Sequence, residues 1–154
     1  MKQTILLDAS KREDIQTAAR LLQKGGLVGI PTETVYGLAA NALDGEACAG
    51  IFAAKGRPVD NPLIVHICDI KQLYTLVRTV PKEAEKLASL YWPGPMTMIL
   101  PKADCIPNEV SAGLDTVAVR FPSHPAAQAV IRESGLPSVS YTHLRAHETV
   151  LDLV

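Results

Sequence analysis

The chain has 154 residues, enough for one domain with a substantial core, and its 47% hydrophobic and 20% charged residues are typical of a globular protein. A formal net charge of −1 and 5% aromatic residues give no bulk argument for binding to nucleic acid or to an anionic membrane. No apolar run in the sequence is long enough to cross a bilayer or to serve as a signal peptide, so we expect a cytoplasmic location and no membrane partner.

The predicted elements alternate between strands and helices. A short strand at residues 5–7 precedes a helix that Ser10 and Glu13 would open as a capping box and that Gly25 and Gly26 would end. An apolar run bounded by glycine and proline predicts a buried strand at residues 27–30. The later predicted elements are a helix at about 44–55, a strand at 63–67, helices at about 69–77 and 81–91, strands at 96–100 and 117–119, and a helix at 123–134. This alternation predicts a layered α/β domain with a central sheet.

Residues 31–38, Pro-Thr-Glu-Thr-Val-Tyr-Gly-Leu, directly follow the predicted buried strand. Open α/β sheets bind ligands in loops at the carboxyl ends of their strands. Two hydroxyls, a carboxylate and a phenol in eight residues give this segment a dense set of hydrogen-bonding groups. The segment is therefore either a ligand-binding loop or a polar turn whose threonines and glutamate cap the next element.

A second candidate segment, residues 54–63, carries Lys55 and Arg57 between a helix and a strand. In an extended chain, residues i and i+2 point the same way, so the two cations would suit a triphosphate, or a carboxylate facing a phosphate. The alternative is that Lys55 interacts with the carboxyl terminus of its helix and that Arg57 is solvated.

Three further features have both a functional and a structural interpretation. His66 lies in an apolar strand, where a histidine is more often a hydrogen-bonded core residue, and Arg120 ends a strand, where it could hold a carboxylate or phosphate or lie on the surface. Residues 92–95, Trp-Pro-Gly-Pro, indicate a rigid turn with an apolar anchor. His143 and His147 share one helix face, but a third ligand is not apparent, so we predict no metal site.

Five segments in this order resemble the successive motifs of the YrdC-like threonylcarbamoyl-AMP synthases. They are residues 31–38 (PTETVYGL), 55–63 (KGRPVDNPL), 64–67 (IVHI), 92–97 (WPGPMT) and 117–122 (VAVRFP). The resemblance implies a single YrdC-like α/β domain with a twisted mixed sheet flanked by helices. It also implies synthesis of threonylcarbamoyl-AMP from L-threonine, bicarbonate and ATP, with release of pyrophosphate. Mg²⁺ would accompany the nucleotide, and other proteins would transfer the group to adenosine 37 of tRNAs that read ANN codons.

The resemblance also implies roles for single residues. Lys55 and Arg57 would be the catalytic cations that act on the carbamate and phosphates. Threonine would be bound by Thr34, His66 and Arg120, with Arg120 on its carboxylate. The residues expected on the nucleotide side are Arg57, Asn61 and Thr116.

The end of the sequence departs from the family pattern. After residues 135–137 the family continues through a strand into a Ser-x-Asn motif, and neither Ser140 nor Thr142 is followed by that asparagine in register. The stretch from about Tyr141 resembles a translated sequencing-adapter read-through, although a divergent helix would also fit. We therefore expect a partial YrdC-like domain at residues 1–140, incomplete at its carboxyl end, an atypical tail at 141–154, and weakened nucleotide binding.

Two other functions are compatible with the sequence. Some YrdC-like proteins are linked to double-stranded RNA, so an RNA- or ribosome-associated binding module without ATP turnover is an alternative, and weak RNA binding is possible alongside the enzyme activity. The net charge of −1 and the lack of a basic run argue against it as the main activity. A carbamoyl-transfer domain taken from a larger maturation protein is the third interpretation.

Overall fold

A computed structural model of the chain describes residues 3–141. The helices in this part of the chain are α1 (Arg12–Gln23), α2 (Gly45–Lys55), α3 (Ile70–Leu76), α4 (Lys82–Tyr91), α5 (Asn108–Ser111) and α6 (Pro125–Ser134). The strands are β1 (Val28–Pro31), β2 (Tyr36–Asn41), β3 (Ile64–His66), β4 (Thr97–Pro101), β5 (Thr116–Arg120) and β6 (Ser138–Tyr141).

The strands form one six-stranded sheet in the order β1-β2-β6-β3-β5-β4. Strands β3 and β5 are parallel, and the other neighbours are antiparallel. The last strand in sequence, β6, lies in the middle of the sheet between β2 and β3. The prediction of an α/β domain with a twisted mixed sheet flanked by helices is confirmed.

Alternation along the strands gives the sheet one apolar and one polar face. Val65, Val119 and Val139 are fully buried and belong to the main hydrophobic core. Register partners on neighbouring strands point to the same side of a sheet, and His66 is paired with both Arg120 and Ser138. We call the side that carries His66, Arg120, Ser138 and Ser140 the polar face.

Helices α1 and α6 cover the polar face only beside the β1–β2 hairpin. There, Ala39 packs in a second small core with Leu22 of α1 and Ala127 of α6. Further along the same face, Ala118 is half-buried and Ile99 is 68% exposed. Within the described residues, the polar face is therefore accessible on β5 and β4.

Most helix boundaries follow the predicted signals. The Asp44 carboxylate accepts hydrogen bonds from the backbone N–H groups of Glu46 and Ala47, and Asp69 accepts one from Lys71. Gly135 ends α6 in the left-handed conformation, with φ of 69°. The predicted starts of α2 and α3 and the end of α6 are confirmed.

The predicted amino-terminal strand and capping box are wrong. Residues 5–7 form no strand, and Leu6 is 99% exposed, so the apolar run has no surface on which to pack. Helix α1 begins one residue after Lys11, which makes no side-chain cap. The Ser10 hydroxyl and backbone N–H both donate to the Asp8 carboxylate, at 2.7 and 2.9 Å, so Ser10 is held by this local contact instead of accepting from the first turn of the helix.

Residues 31–38 are a hairpin and not a long loop at the carboxyl end of a parallel strand. Strands β1 and β2 pair antiparallel, with Pro31 opposite Tyr36. Residues 32–35 form the turn between them. Tyr36 begins a strand because its backbone pairs with β1, and the following residues of β2 pair with β6.

Candidate functional site

The turn at residues 32–35 takes its shape from Thr32. The Thr32 hydroxyl donates to the carbonyl oxygen of Val35 at 2.6 Å. The Thr32 hydroxyl oxygen also accepts hydrogen bonds from the N–H groups of Thr34 at 3.3 Å and Val35 at 3.2 Å. The turn is thus locally closed. The Thr34 hydroxyl also bonds to that of Thr32, at 3.1 Å, while the Glu33 side chain makes its side-chain contacts outside the turn.

Arg120 lies at the centre of a cluster of polar contacts on the polar face. Its guanidinium forms an ion pair with Glu33, and its Nη2 lies 3.5 Å from the Thr34 hydroxyl. Its Nε donates to the carbonyl oxygen of Gly94 at 3.4 Å. We call Glu33, Thr34, Gly94 and Arg120 the Arg120 cluster. It joins the β1–β2 turn, the segment after α4 and the end of β5.

The ion pair determines the charge state of Glu33. Burial alone would raise the pKa of Glu33, but the hydrogen bond and positive charge of Arg120 and backbone N–H groups outweigh it, so the pKa lies below its usual value. One of these N–H groups is that of Ser123, at 3.0 Å. Glu33 is therefore a carboxylate near neutral pH.

The tight turn after α4, whose Gly94 carbonyl oxygen accepts from Arg120, requires glycine at this position. A Cβ at this position would lie 2.5 Å from the carbonyl oxygen of Tyr91, so a side chain cannot be accommodated. The flanking Trp92 ring donates to the carbonyl oxygen of Met96 at 2.7 Å and packs beside Phe121. The predicted turn with an apolar anchor is confirmed.

His66 is completely buried next to Arg120, and within residues 3–141 neither ring nitrogen has a hydrogen-bond partner. The expectation that a buried histidine here is hydrogen-bonded is therefore wrong. Burial lowers the pKa of His66 to about 3, the charge of Arg120 acts in the same direction, and Glu33 opposes it. The hydroxyl of Ser140, also on the polar face, is buried without a partner among these residues.

Lys55 and Arg57 are not the extended pair that their spacing predicts. Lys55 is the last residue of α2, and Gly56 follows with φ of 61°, which reverses the chain before Arg57. The i, i+2 argument therefore does not apply. The Lys55 ammonium lies over the Tyr141 ring, 4.4 Å from its centroid, and Arg57 is half-buried.

Lys55, Asn61 and Thr116 lie at the opposite end of the strands from Arg120. Thr116 begins β5, Asn61 lies in the exposed segment just before β3, and the Tyr141 ring under Lys55 ends the antiparallel β6. All three positions are at the edge formed by the amino ends of β3 and β5, which we call the lysine edge. Thr116 is four residues, or about 13 Å along the strand, from Arg120.

The structure thus divides the predicted site residues other than Arg57 into two groups. Thr34, His66 and Arg120 come together, whereas Lys55, Asn61 and Thr116 share the lysine edge. The β1–β2 hairpin lies between the two groups. Pro31 ends β1 and Tyr36 begins β2, both at the end of the hairpin nearer Tyr141. The Glu33 side chain of the turn contacts Arg120. Lys55 approaches the lysine edge from the apolar side of the sheet, because Tyr141 belongs to the main hydrophobic core.

Sequence reasoning assigned no role to Glu33, Gly94, Ser140 or Tyr141. Glu33 is 87 residues from its partner Arg120, and Tyr141 lies far from Lys55 in sequence, so no local pattern reveals these contacts. The only available signal for Glu33 was its place between two threonines in the turn segment.

A groove of about 450 Å³ between α3 and α4 contains none of the predicted site residues. Trp92 and Phe121 are among its lining residues, and the only charged one is Glu85. A single carboxylate would not attract anionic reactants, so we place the candidate site on the polar face instead.

Comparison with known proteins identifies the family. The Sua5-YciO-YrdC family model, described as telomere recombination, matches residues 20–149. This chain belongs to that family. The Sua5-YciO-YrdC match includes every residue that we place in the Arg120 cluster and at the lysine edge.

Individual members of the Sua5-YciO-YrdC family agree with this assignment. The threonylcarbamoyl-AMP synthase of Bacillus subtilis is 56% identical over 124 residues, which are 80% of this chain and 36% of that protein. The Pyrococcus abyssi enzyme of the same name is 50% identical over 137 residues, or 87% and 40% of the two chains. The crystal structure of P. abyssi Sua5 complexed with L-threonine superposes with a TM-score of 0.83 at 50% identity, covering 85% of this chain and 38% of that one. The chain therefore spans about two fifths of the length of these relatives.

Several sequence predictions concern residues 142–154, which lie outside the described part. They include the departure from the Ser-x-Asn motif and the pair His143 and His147. Tyr141 itself ends β6, is buried and packs edge-on against Phe52. The division into residues 1–140 and a tail at 141–154 stays a prediction. In the described part, no helix could span a membrane, and no group of three or more His, Cys, Asp or Glu residues could hold a metal.

Proposed function

We propose that this chain synthesises threonylcarbamoyl-AMP from L-threonine, bicarbonate and ATP and releases pyrophosphate. Two curated relatives with this name share 50% and 56% identity with the chain. The observation that carries the proposal is the Arg120 cluster, where a guanidinium and a threonine hydroxyl meet on the polar face, with the buried His66 next to Arg120 in the sheet. P. abyssi Sua5, which superposes on this chain, was crystallised with L-threonine.

In this proposal the Arg120 cluster binds threonine. Arg120 takes the α-carboxylate, because a guanidinium forms charge-assisted hydrogen bonds with carboxylates. Thr34 lies 3.5 Å from the guanidinium and can bond the polar groups of the same ligand. His66 stays neutral near pH 7, so it can offer one donor and one acceptor without adding charge.

The lysine edge binds the nucleotide. The carbamate of threonine is an anion that attacks the α-phosphorus of ATP, another anionic centre, so the two reactants repel each other. Lys55 and Arg57 would offset that repulsion and stabilise the charge that develops as pyrophosphate leaves. Asn61 and Thr116, with Arg57, would contact the nucleotide. The hairpin turn links this edge to the Arg120 cluster, as a reaction between the two bound substrates requires.

Magnesium would arrive with the nucleotide as the Mg-ATP substrate. The product would pass to the proteins that transfer the threonylcarbamoyl group to tRNA. A cytoplasmic location and weak RNA binding stay predictions from the sequence.

The test is pyrophosphate release from ATP by the purified chain, with L-threonine and bicarbonate each present or omitted. We expect release only when all three substrates are supplied, and far less when L-valine replaces L-threonine, because L-valine lacks the hydroxyl. The same assay with a family-like carboxyl terminus restored would show whether the residues from 141 onwards limit the rate.

Absence of release from both versions, with both folded by circular dichroism, would overturn the proposal. Salt-dependent binding of double-stranded RNA in that case would support the RNA-binding alternative.

A further inference from the structure

Glu33 connects the hairpin turn to the part of the chain that follows β5. Its carboxylate pairs with the Arg120 guanidinium and also accepts a hydrogen bond from the backbone N–H of Ser123 at 3.0 Å. The Glu33 side chain is 21% exposed and that of Arg120 is 6% exposed. One carboxylate therefore holds two groups that lie 87 and 90 residues away, in a largely buried position.

The turn depends on Glu33 for its position but not for its shape. Its internal hydrogen bonds all involve Thr32, with Thr34 or Val35 as the partner. Among the described residues, the hydrogen bonds that join the turn to β5 and to the segment before α6 involve Glu33 and, at 3.5 Å, Thr34. Without Glu33, the turn would keep its local conformation and lose its main attachment over the polar face.

Glu33 also leaves Arg120 partly available. The guanidinium uses Nε for the Gly94 carbonyl oxygen and Nη2 for Glu33 and Thr34. Its Nη1 donates to no residue of the part that the structure describes. Because a guanidinium is planar and rigid, fixing Nε and Nη2 also fixes the direction of Nη1.

We propose that Glu33 is a positioning residue for the threonine site. It orients Arg120 so that Nη1 faces the α-carboxylate of the ligand, and it holds the Thr34 hydroxyl beside the same guanidinium. This inference rests on the proposed function, because it takes L-threonine as the ligand of Arg120. The opposite possibility is that Glu33 occupies the carboxylate site and competes with the ligand.

The experiment compares L-threonine binding by calorimetry for the wild-type chain and for Glu33→Ala, Glu33→Asp and Glu85→Ala. Glu85 is a matched control, because its carboxylate also accepts a side-chain hydrogen bond, from the Tyr74 hydroxyl at 2.9 Å, but away from the site. We expect Glu33→Ala to weaken threonine binding about tenfold, as loss of a charge-assisted contact would. Glu33→Asp should recover part of the affinity, and Glu85→Ala should bind as the wild type does.

ATP affinity separates positioning at the threonine site from a general structural role, and it should change little in Glu33→Ala. The melting temperature should fall, because the largely buried Arg120 guanidinium loses its partner. A loss of ATP binding as large as the loss of threonine binding would overturn the inference, as would unchanged threonine binding. Tighter threonine binding would show that Glu33 competes with the ligand.

A second measurement does not depend on the ligand. Amide exchange of Ser123, followed by NMR, should be faster in Glu33→Ala than in the wild type, because the N–H loses its acceptor. An unchanged exchange rate would be enough to overturn the inference that Glu33 attaches the turn to the segment after β5. If the wild-type chain fails to bind L-threonine, the proposed function fails at this site; if it binds and Glu33→Ala binds equally well, only the present inference fails.

Discussion

The two faces of the sheet are built from neighbouring residues of the same strands, yet they bury opposite kinds of side chain. Val65 and Val119 are fully buried among apolar residues. The residues that follow them, His66 and Arg120, are 0% and 5% exposed on the other side. A buried polar group without a partner costs about 1–3 kcal/mol, so the polar face lowers the stability of the fold. The apolar face therefore explains how the sheet is held together, and the polar face is where a ligand would satisfy the unused groups.

The largest expected effect comes from removing a cation at the lysine edge. Lys55→Ala should reduce pyrophosphate release about 10²- to 10³-fold, because a positive group that stabilises developing charge is lost. The melting temperature should fall modestly, since Lys55 is half-buried and its cation–π contact with Tyr141 contributes about 1 kcal/mol. We expect the same loss for Arg57→Ala. Lys86→Ala, on the exposed side of α4, is the control, and turnover of Lys55→Ala equal to that of Lys86→Ala would remove Lys55 from the catalytic role.

Adjacent substitutions in β5 test the comparison of the faces directly. Arg120→Ala should raise the KM for threonine about 10- to 100-fold and the KM for ATP much less, because hydrogen bonds to charged groups contribute about 1.5–3 kcal/mol. Steady-state kinetics with each substrate varied in turn would measure both constants. An equal rise in both would contradict the assignment of Arg120 to the threonine carboxylate.

Val119→Ala should do the reverse. It removes two buried methyl groups from the apolar face and should lower the free energy of unfolding by about 2 kcal/mol. Urea denaturation would measure this, and the KM for threonine should stay within a factor of about two of the wild type. A large change in KM with no loss of stability would mean that the two faces are not functionally separate.

A smaller effect on stability should appear as the pH falls. In the unfolded chain His66 binds a proton near its ordinary pKa of 6.5, whereas burial keeps it neutral in the folded chain down to about pH 3. Between pH 6.5 and pH 3 the unfolded state therefore binds more protons than the folded state. The free energy of unfolding falls as the pH drops below 6.5, by at most about 1.4 kcal/mol per pH unit. Denaturation at pH 6.5 and pH 5 should show a loss of about 1.6 kcal/mol from this residue. His66→Leu should lack that part of the loss; an identical pH dependence in both proteins would contradict the neutral state of His66.

The sequence predicted those features that local chemistry determines. Asp44 and Asp69 cap helices as expected, and Gly135 ends α6, because each acts on backbone groups within a few residues. Strand β2 was missed because its sequence, YGLAAN, has little of the β-branched and aromatic content that indicates strands. Its pairing with β6, about 100 residues later, is a tertiary effect.

In the candidate site too, the sequence identified individual residues but not their tertiary contacts. Arg120 and Lys55 were identified from the order of the motifs, but their surroundings were not. The conformation of Gly56 separates Lys55 from Arg57, and the pairing of Glu33 with Arg120 joins two distant segments. Such contacts depend on the assembled sheet, so residue spacing alone could not predict them.

The smallest expected effect distinguishes two serines on the polar face of β6. Ser138 and Ser140 are each 1% exposed, but the Ser138 hydroxyl donates to the carbonyl oxygen of Ala40 at 3.0 Å, whereas that of Ser140 has no partner within residues 3–141. Ser138→Ala should lower the free energy of unfolding by about 1 kcal/mol, the usual net contribution of one hydrogen bond. Ser140→Ala should be neutral or slightly stabilising, because it removes a buried group whose desolvation nothing offsets. Equal losses in urea denaturation would mean that the Ser140 hydroxyl is satisfied in the folded protein, and the polar face would then contain one fewer group waiting for a ligand.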